Sequence, residues 1–259
     1  MNRNRLKKLV AEKRFIPGIY NYCDRWCERC PQTSRCLNFS ISEEEFSDPQ
    51  TRDIRNKAFW DKLSGILKES LELLKESAEK WGVDLETLDS TDHTEDMKMK
   101  DAAVEKHLLS RAAKKYSGLV EDCLRDRETL FFETVAAARE GVSLDEALEV
   151  IRWYQYFICA KVMRAVRGRV EEEEESDEFP SDSDGSAKIA LLAIDRSIAA
   201  WAVIQYYVTH GSQELMDILS FLDSLREGVE ETFPKARSFI RPGFDEMEPK
   251  EQVQADHLN

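Results

Sequence analysis

Residues 187–210 read AKIALLAIDRSIAAWAVIQYYVTH and carry apolar side chains on nearly every face of a helix. A helix of that kind is typical of the centre of a bundle, where neighbouring helices surround it. Asp195 and Arg196 lie in the middle of the segment and argue against a membrane span, because central charges cost about 2.5–3.5 kcal/mol each on insertion scales. The segment therefore predicts an all-α fold built around one buried helix.

Four further helices are predicted on either side of this segment, and no strand. Their bounds, from apolar period and punctuation, are 49–82, 101–140, 143–168 and 212–234. Ten glycines and seven prolines are few for 259 residues, which disfavours a sandwich or barrel with many turns. We expect a bundle of about five helices.

The helix predicted at 49–82 has the longest apolar stripe. We expect this stripe to face the bundle core. Its members are Trp60, Leu63, Leu67, Leu71, Leu74, Ala78 and Trp81.

Charge is unevenly distributed along the chain, whose formal net charge is −14. Residues 171–184 contain nine acidic side chains and no basic one, so we predict a disordered acidic linker at 171–186. Residues 1–14 are instead basic, with a net charge of +5. The predicted organisation is a basic arm and four-cysteine metal module (1–46), three bundle helices (47–170), the linker, two bundle helices (187–240) and a tail (241–259).

Four of the six cysteines lie close together in residues 15–39, FIPGIYNYCDRWCERCPQTSRCLNF. If residues 19–30 are helical, Cys23, Cys27 and Cys30 share one face, and a loop after Pro31 can return Cys36 to them. We expect a cytoplasmic protein without a membrane span, and in that reducing compartment clustered cysteines favour metal over disulfide. An iron–sulfur cluster is favoured because such sites often take several cysteines from one short run. Zn²⁺ bound by four thiolates is the alternative, and unpaired or disulfide-bonded cysteines are the third.

Part of this cluster resembles a motif of a known family. Cys27-Glu28-Arg29-Cys30-Pro31, followed by Cys36 and Leu37, resembles the C-x2-C-x5-C tail of the iron–sulfur staple in RecB-type nucleases. The resemblance implies a [4Fe-4S] cluster that ties distant parts of the chain together. In that family the first ligand lies far upstream, whereas here it would be the local Cys23. The resemblance covers about ten residues and no nuclease core, so it implies no nuclease activity.

A second candidate site lies among polar residues on the predicted bundle helices. Asp195 is expected to pair with Lys161 or Arg164 inside the bundle, either as a structural ion pair or as part of a ligand pocket. In the second interpretation, three aromatic side chains frame the pocket: Tyr154, Trp201 and Tyr206.

The first functional hypothesis is a binding or regulatory protein with a structural metal centre, so the sequence leans away from an enzyme. Its partner would be an unidentified protein or small molecule. An iron–sulfur redox protein or enzyme is the second hypothesis. The third is a nucleic-acid-associated protein that uses the basic residues 1–14, although the overall acidity opposes it.

Overall fold

The computed structural model describes residues 3–85, 94–126, 144–172, 182–207 and 212–245. Over these ranges the chain forms nine α-helices and no strand, which confirms the all-α prediction. The helices are α1 (Arg3–Val10), α2 (Leu37–Glu45), α3 (Pro49–Arg52), α4 (Lys57–Trp81), α5 (Thr94–Lys106), α6 (Leu108–Asp126), α7 (Leu144–Glu172), α8 (Asp182–Tyr207) and α9 (Ser212–Thr232). Short 3-10 turns lie at Ile19–Asn21, Cys27–Arg29, Thr33–Arg35 and Ala236–Ser238.

The chain divides into two compact units. The first comprises Met1–Glu95 together with Pro242–Asn259, and the second comprises Asp96–Arg241. This differs from the predicted organisation, which assigned the helix at 49–82 to the bundle and the last residues to a separate tail. Sequence period shows that a helix has an apolar face but not which surface that face meets, so it does not assign a helix to a unit.

The second unit is a ring of four helices. α8 packs against α7 and α9, α7 packs against α6, and α9 closes the ring on α6. The apolar stripe predicted for the last helix is confirmed, because all five of its members are buried: Leu215, Ile218, Leu222, Leu225 and Val229. α8 is one member of this ring, whereas its sequence predicted a central helix.

Polar side chains link the helices of this ring inside its core. The Tyr116 hydroxyl accepts a hydrogen bond from Trp201 Nε1 at 3.1 Å, and both side chains are fully buried. Ser117 and Gln155 each donate a side-chain hydrogen bond to the other's backbone carbonyl, at 2.8 and 3.1 Å. Buried polar groups that are satisfied in this way fix the relative positions of neighbouring helices.

The start of α8 corrects the linker prediction. α8 begins at Asp182, α7 continues to Glu172, and only 173–181 of the proposed linker lies outside the described residues. The acidic side chains in the first turn of α8 suit the positive end of a helix dipole. Small residues allow a close approach here: a Cβ at Gly168 would lie 2.5 Å from Ser183 Oγ. Residues 182–186, which were predicted as part of a disordered linker, therefore form the packed first turn of a helix.

The first unit corrects the prediction of a single helix at 49–82. Asp48 caps α3 by accepting from the Gln50 amide at 2.9 Å, but α3 ends after one turn. The Asp53 side chain then accepts from the Arg55 amide at 3.0 Å, an Asx turn that competes with the helix. α4 begins at Lys57 and ends at Gly82, which has a left-handed φ of 70°.

The prediction that the α4 stripe is buried was also wrong. Ala78 is buried, but five members of the stripe are more than half exposed: Trp60, Leu67, Leu71, Leu74 and Trp81.

The helix predicted at 101–140 begins earlier and is interrupted. α5 starts at Thr94 and ends before His107, whose Nδ1 accepts from the Leu109 amide at 3.2 Å and caps α6. Residues 127–143, which include the predicted end of this helix at 140 and the predicted start of the next at 143, lie outside the described residues.

None of the helices in the described ranges combines the length and apolar character that crossing a bilayer requires.

Candidate metal centre

The four clustered cysteines lie on a chain of tight turns, not on a helix. Cys23 follows the 3-10 turn at Ile19–Asn21, and a second turn covers Cys27–Arg29. Between these turns Arg25 has a left-handed φ of 60°, which bends the chain sharply. The expectation of one helical face at residues 19–30 was therefore wrong, since Pro17, Gly18 and Pro31 break the local pattern.

These turns nevertheless bring all four cysteines to one place. Cys23, Cys27, Cys30 and Cys36 all line a single pocket. All four are half-buried and unpaired. The pocket wall is largely apolar and includes Ile19, Trp26, Phe39 and Phe244.

Backbone amides point at three of the four sulfur atoms. The Gln32 amide donates to Cys30 Sγ at 3.4 Å, and the Phe39 amide donates to Cys36 Sγ at 3.4 Å. The Arg25 amide makes a further hydrogen bond that favours the Cys23 thiolate. Hydrogen bonds to the ligand sulfurs are a common feature of iron–sulfur sites. Cys23 Sγ itself donates to the Tyr20 carbonyl at 3.6 Å, as a neutral thiol does.

Burial acts in the opposite direction on two of these cysteines. It raises the pKa of the Cys23 thiol, against smaller lowering effects from the Arg25 amide and guanidinium. Burial also raises the pKa of Cys27, and the nearby sulfurs of the other three cysteines raise it further. A cation in the pocket would relieve this mutual repulsion and release the thiol protons.

The C-terminal residues of the first unit complete the pocket. Phe244 lines it, and Gln32 Nε2 donates to the Gly243 carbonyl at 2.8 Å. Gly243 has a left-handed φ of 75°, and a Cβ there would lie 2.5 Å from Ile16 Cδ1. The sequence did not predict this contact. Residues 241–259 were assigned to a tail, because Pro242 and Gly243 favour irregular structure and carry no periodic pattern.

Arg25 lines the cysteine pocket, and other arginines of residues 1–46 contact side chains of the same unit. The Arg29 guanidinium lies 4.2 Å from the Trp26 ring centroid. In the basic N-terminal stretch, Arg5 pairs with Glu44 of α2 at 3.1 Å, and Arg14 pairs with Glu12 at 2.6 Å. The Arg5–Glu44 ion pair joins α1, in the basic stretch, to α2.

The described residues contain no group of three or more His, Cys, Asp or Glu side chains already placed so as to hold a metal ion. The donor set of four thiols is nevertheless one that zinc and iron–sulfur clusters both accept. Without a cation, the same four thiols could be oxidised or exchange disulfides.

The second candidate site has different contacts from those expected. Asp195 forms an ion pair with Arg237 at 2.5 Å, Arg164 pairs with Asp182 at 3.0 Å, and Lys161 Nζ lies 5.6 Å from the Phe157 ring centroid. The expected pairing was wrong because Asp195 lies at the side of the ring, within reach of the turn that follows α9.

The aromatic side chains proposed to frame a pocket beside Asp195 do not lie together. Trp201 is buried in the core, whereas Tyr206 is 82% exposed. Tyr154 is buried and its hydroxyl accepts from Arg196 Nη1 at 2.5 Å. These contacts account for Asp195 and Arg196 as groups that join elements of the second unit.

No protein-family model, curated protein or solved structure matches this chain.

Proposed function

We propose that Cys23, Cys27, Cys30 and Cys36 bind a metal centre that fastens the N-terminal module to residues 242–245. In this proposal the centre is structural, and the protein acts by binding or regulating a partner. The observation that supports it most strongly is that one pocket collects all four thiols and Phe244, which is over 200 positions further along the chain.

The favoured centre is a [4Fe-4S] cluster, and Zn²⁺ is the alternative. Four cysteines within 14 residues and amide hydrogen bonds to the sulfurs are both typical of iron–sulfur sites. Four thiolates are equally a ligand set for structural zinc. With either metal the thiols would have to close around it, and the turns on both sides of Arg25 are the elements that would move.

Metal analysis of purified protein tests this proposal. Wild-type protein, Cys27→Ser and the matched control Cys159→Ser are purified without oxygen, and iron, sulfide and zinc are measured per chain. We expect wild type and Cys159→Ser to hold the same stoichiometric metal and Cys27→Ser to lose most of it, since Cys159 lies on α7 in the second unit. Equal metal contents in all three proteins, or none in any, would contradict the proposal.

The structural role has its own test. We expect removal of the metal by a chelator to speed hydrogen exchange in peptides that cover 242–245, while exchange in α9 stays unchanged. Unchanged exchange at 242–245 after metal loss would show that the centre does not fasten this segment.

A redox role is the second candidate, because the four cysteines are only half-buried. Exposure of a cluster near the surface suits electron exchange with a partner and influences the reduction potential. Potentiometry on iron-loaded protein distinguishes the two roles: a reversible couple within the cellular range favours electron transfer, and its absence favours the structural role.

A further inference from the structure

A second feature, independent of the cysteines, lies on α4. Five of the seven members of the α4 stripe are more than half exposed: Trp60, Leu67, Leu71, Leu74 and Trp81. Contiguous exposed apolar surfaces of this kind are rare on soluble proteins and usually mark an interaction site. Trp60 is held in a fixed orientation, because its Nε1 donates to the Ile54 carbonyl at 2.8 Å.

The spacing of the stripe is that of a helix that pairs with another helix. Trp60, Leu67, Leu74 and Trp81 are separated by seven residues each, and Leu71 lies beside Leu67 and Leu74 on the same face. A repeat of seven keeps an apolar seam facing one partner helix along its whole length. From Trp60 to Trp81 the seam is about 32 Å long at a rise of 1.5 Å per residue.

The charges on α4 select both the partner and its direction. The first half, 57–68, has a net charge of +2 from Lys57, Lys62 and Lys68 against Asp61. Lys57 pairs with Asp61 and Lys62 pairs with Glu45 of α2, so Lys68 contributes most of the positive charge open to a partner. The second half, 69–81, has a net charge of −2, from four glutamates against two lysines. A second copy in a parallel orientation would place like charges together, whereas an antiparallel copy places each positive half beside a negative half.

We infer that α4 is a self-association surface on which two copies of this chain pair through antiparallel α4 helices. The twofold axis passes near Glu69, so that Leu67 of each copy packs close to the partner's Leu71. A single helix face makes a small interface, so the dimer dissociates on dilution. Exposed charges fix the direction of pairing and contribute little to affinity.

Sedimentation of the full chain over a hundredfold range of concentration tests the self-association. We expect a monomer–dimer equilibrium that is lost in Leu67→Gln/Leu74→Gln. The control Leu108→Gln, which changes an equally exposed leucine on α6, should dimerise as wild type does. Circular dichroism checks that all three proteins retain the same helix content. A wild-type protein that is monomeric throughout, or a dimer that survives the double substitution, would overturn the inference.

A charge-reversal series tests the direction of pairing. Lys57→Glu/Lys68→Glu makes both halves of α4 negative, and we expect it to weaken the dimer at least tenfold. Adding Glu72→Lys/Glu79→Lys reverses the second half and should restore the wild-type dissociation constant, because opposite halves again face each other. In a parallel dimer like charges face each other in all three proteins, so Lys57→Glu/Lys68→Glu would leave the dissociation constant unchanged. That result, or failure of the fourfold variant to restore dimerisation, would overturn the antiparallel arrangement.

Discussion

Replacing Gly243 with Ala tests how strongly residues 242–245 are joined to the cysteine module. Gly243 has a φ of 75°, where a side chain costs roughly 1–2 kcal/mol. Its new Cβ would also lie 2.5 Å from Ile16 Cδ1 and 3.0 Å from Ile19 Cδ1. Both atoms are the ends of flexible side chains that can shift, so the overpacking cost should be about 1 kcal/mol and the total effect about 2–3 kcal/mol.

The chain offers a matched control at Gly82, in the same unit. Gly82 has a φ of 70°, but no heavy atom lies within 4 Å of its ideal Cβ position. Gly82→Ala therefore introduces the backbone strain without the clash. The difference between the two variants isolates the packing of residue 243 on the module, about 1 kcal/mol.

Hydrogen exchange measured by mass spectrometry reports this difference where it acts. Peptides that cover residues 15–36 should exchange about fivefold faster in Gly243→Ala than in Gly82→Ala, the factor that corresponds to about 1 kcal/mol. Peptides from α8 and α9 should not change in either variant. Equal exchange of 15–36 in the two variants would refute the argument that the C-terminal segment packs on the module.

Three further predictions concern the second unit. Tyr116→Phe should cost about 1–3 kcal/mol at neutral pH, because the buried Trp201 indole N–H loses its acceptor. Burial raises the pKa of Tyr116 to about 12, so the free energy of unfolding of the wild type should be constant below about pH 10 and fall towards pH 12. Denaturant titrations over this pH range should find a smaller fall in Tyr116→Phe. An equal fall in the two proteins would contradict this prediction. Leu222→Ala should lower the free energy of unfolding in urea by about 2–5 kcal/mol, because Leu222 is fully buried. Leu108→Ala should lower it by less than about 0.5 kcal/mol, because Leu108 is exposed. Similar losses in the two variants would contradict the assigned core. Asp195→Asn should cost no more than about 1 kcal/mol, because its ion pair is partly exposed; a larger loss in the same assay would show a buried role.

Local sequence patterns predicted several elements of the second unit well. α9 carries buried side chains at every predicted stripe position, because its apolar period and its surroundings agree. α8 was predicted as a helix, but its start was misplaced because the acidic composition of 182–186 suggested a solvated linker. Burial of Ser183, Gly185 and Ser186 depends on contact with α7, which no local pattern encodes.

In the first unit, sequence patterns alone predicted less. The spacing of Cys23, Cys27 and Cys30 fits a helix, but proline and glycine close by favour consecutive turns instead. These turns bring the same thiols to one pocket by a different route. Phe244 could not be assigned to that pocket, because it approaches from the other end of the chain and leaves no periodic signal.

X-ray absorption spectroscopy on protein purified without oxygen tests the central claim most directly. Measured at the edge of whichever metal is present, it reports the number, type and distance of the ligand atoms. We predict a shell made of sulfur only, with four sulfurs at about 2.3 Å if the metal is zinc, or cysteine and sulfide sulfurs with neighbouring iron atoms if it is a cluster. A shell of oxygen and nitrogen atoms, or protein without stoichiometric metal, would contradict the assignment of the four cysteines as a metal centre.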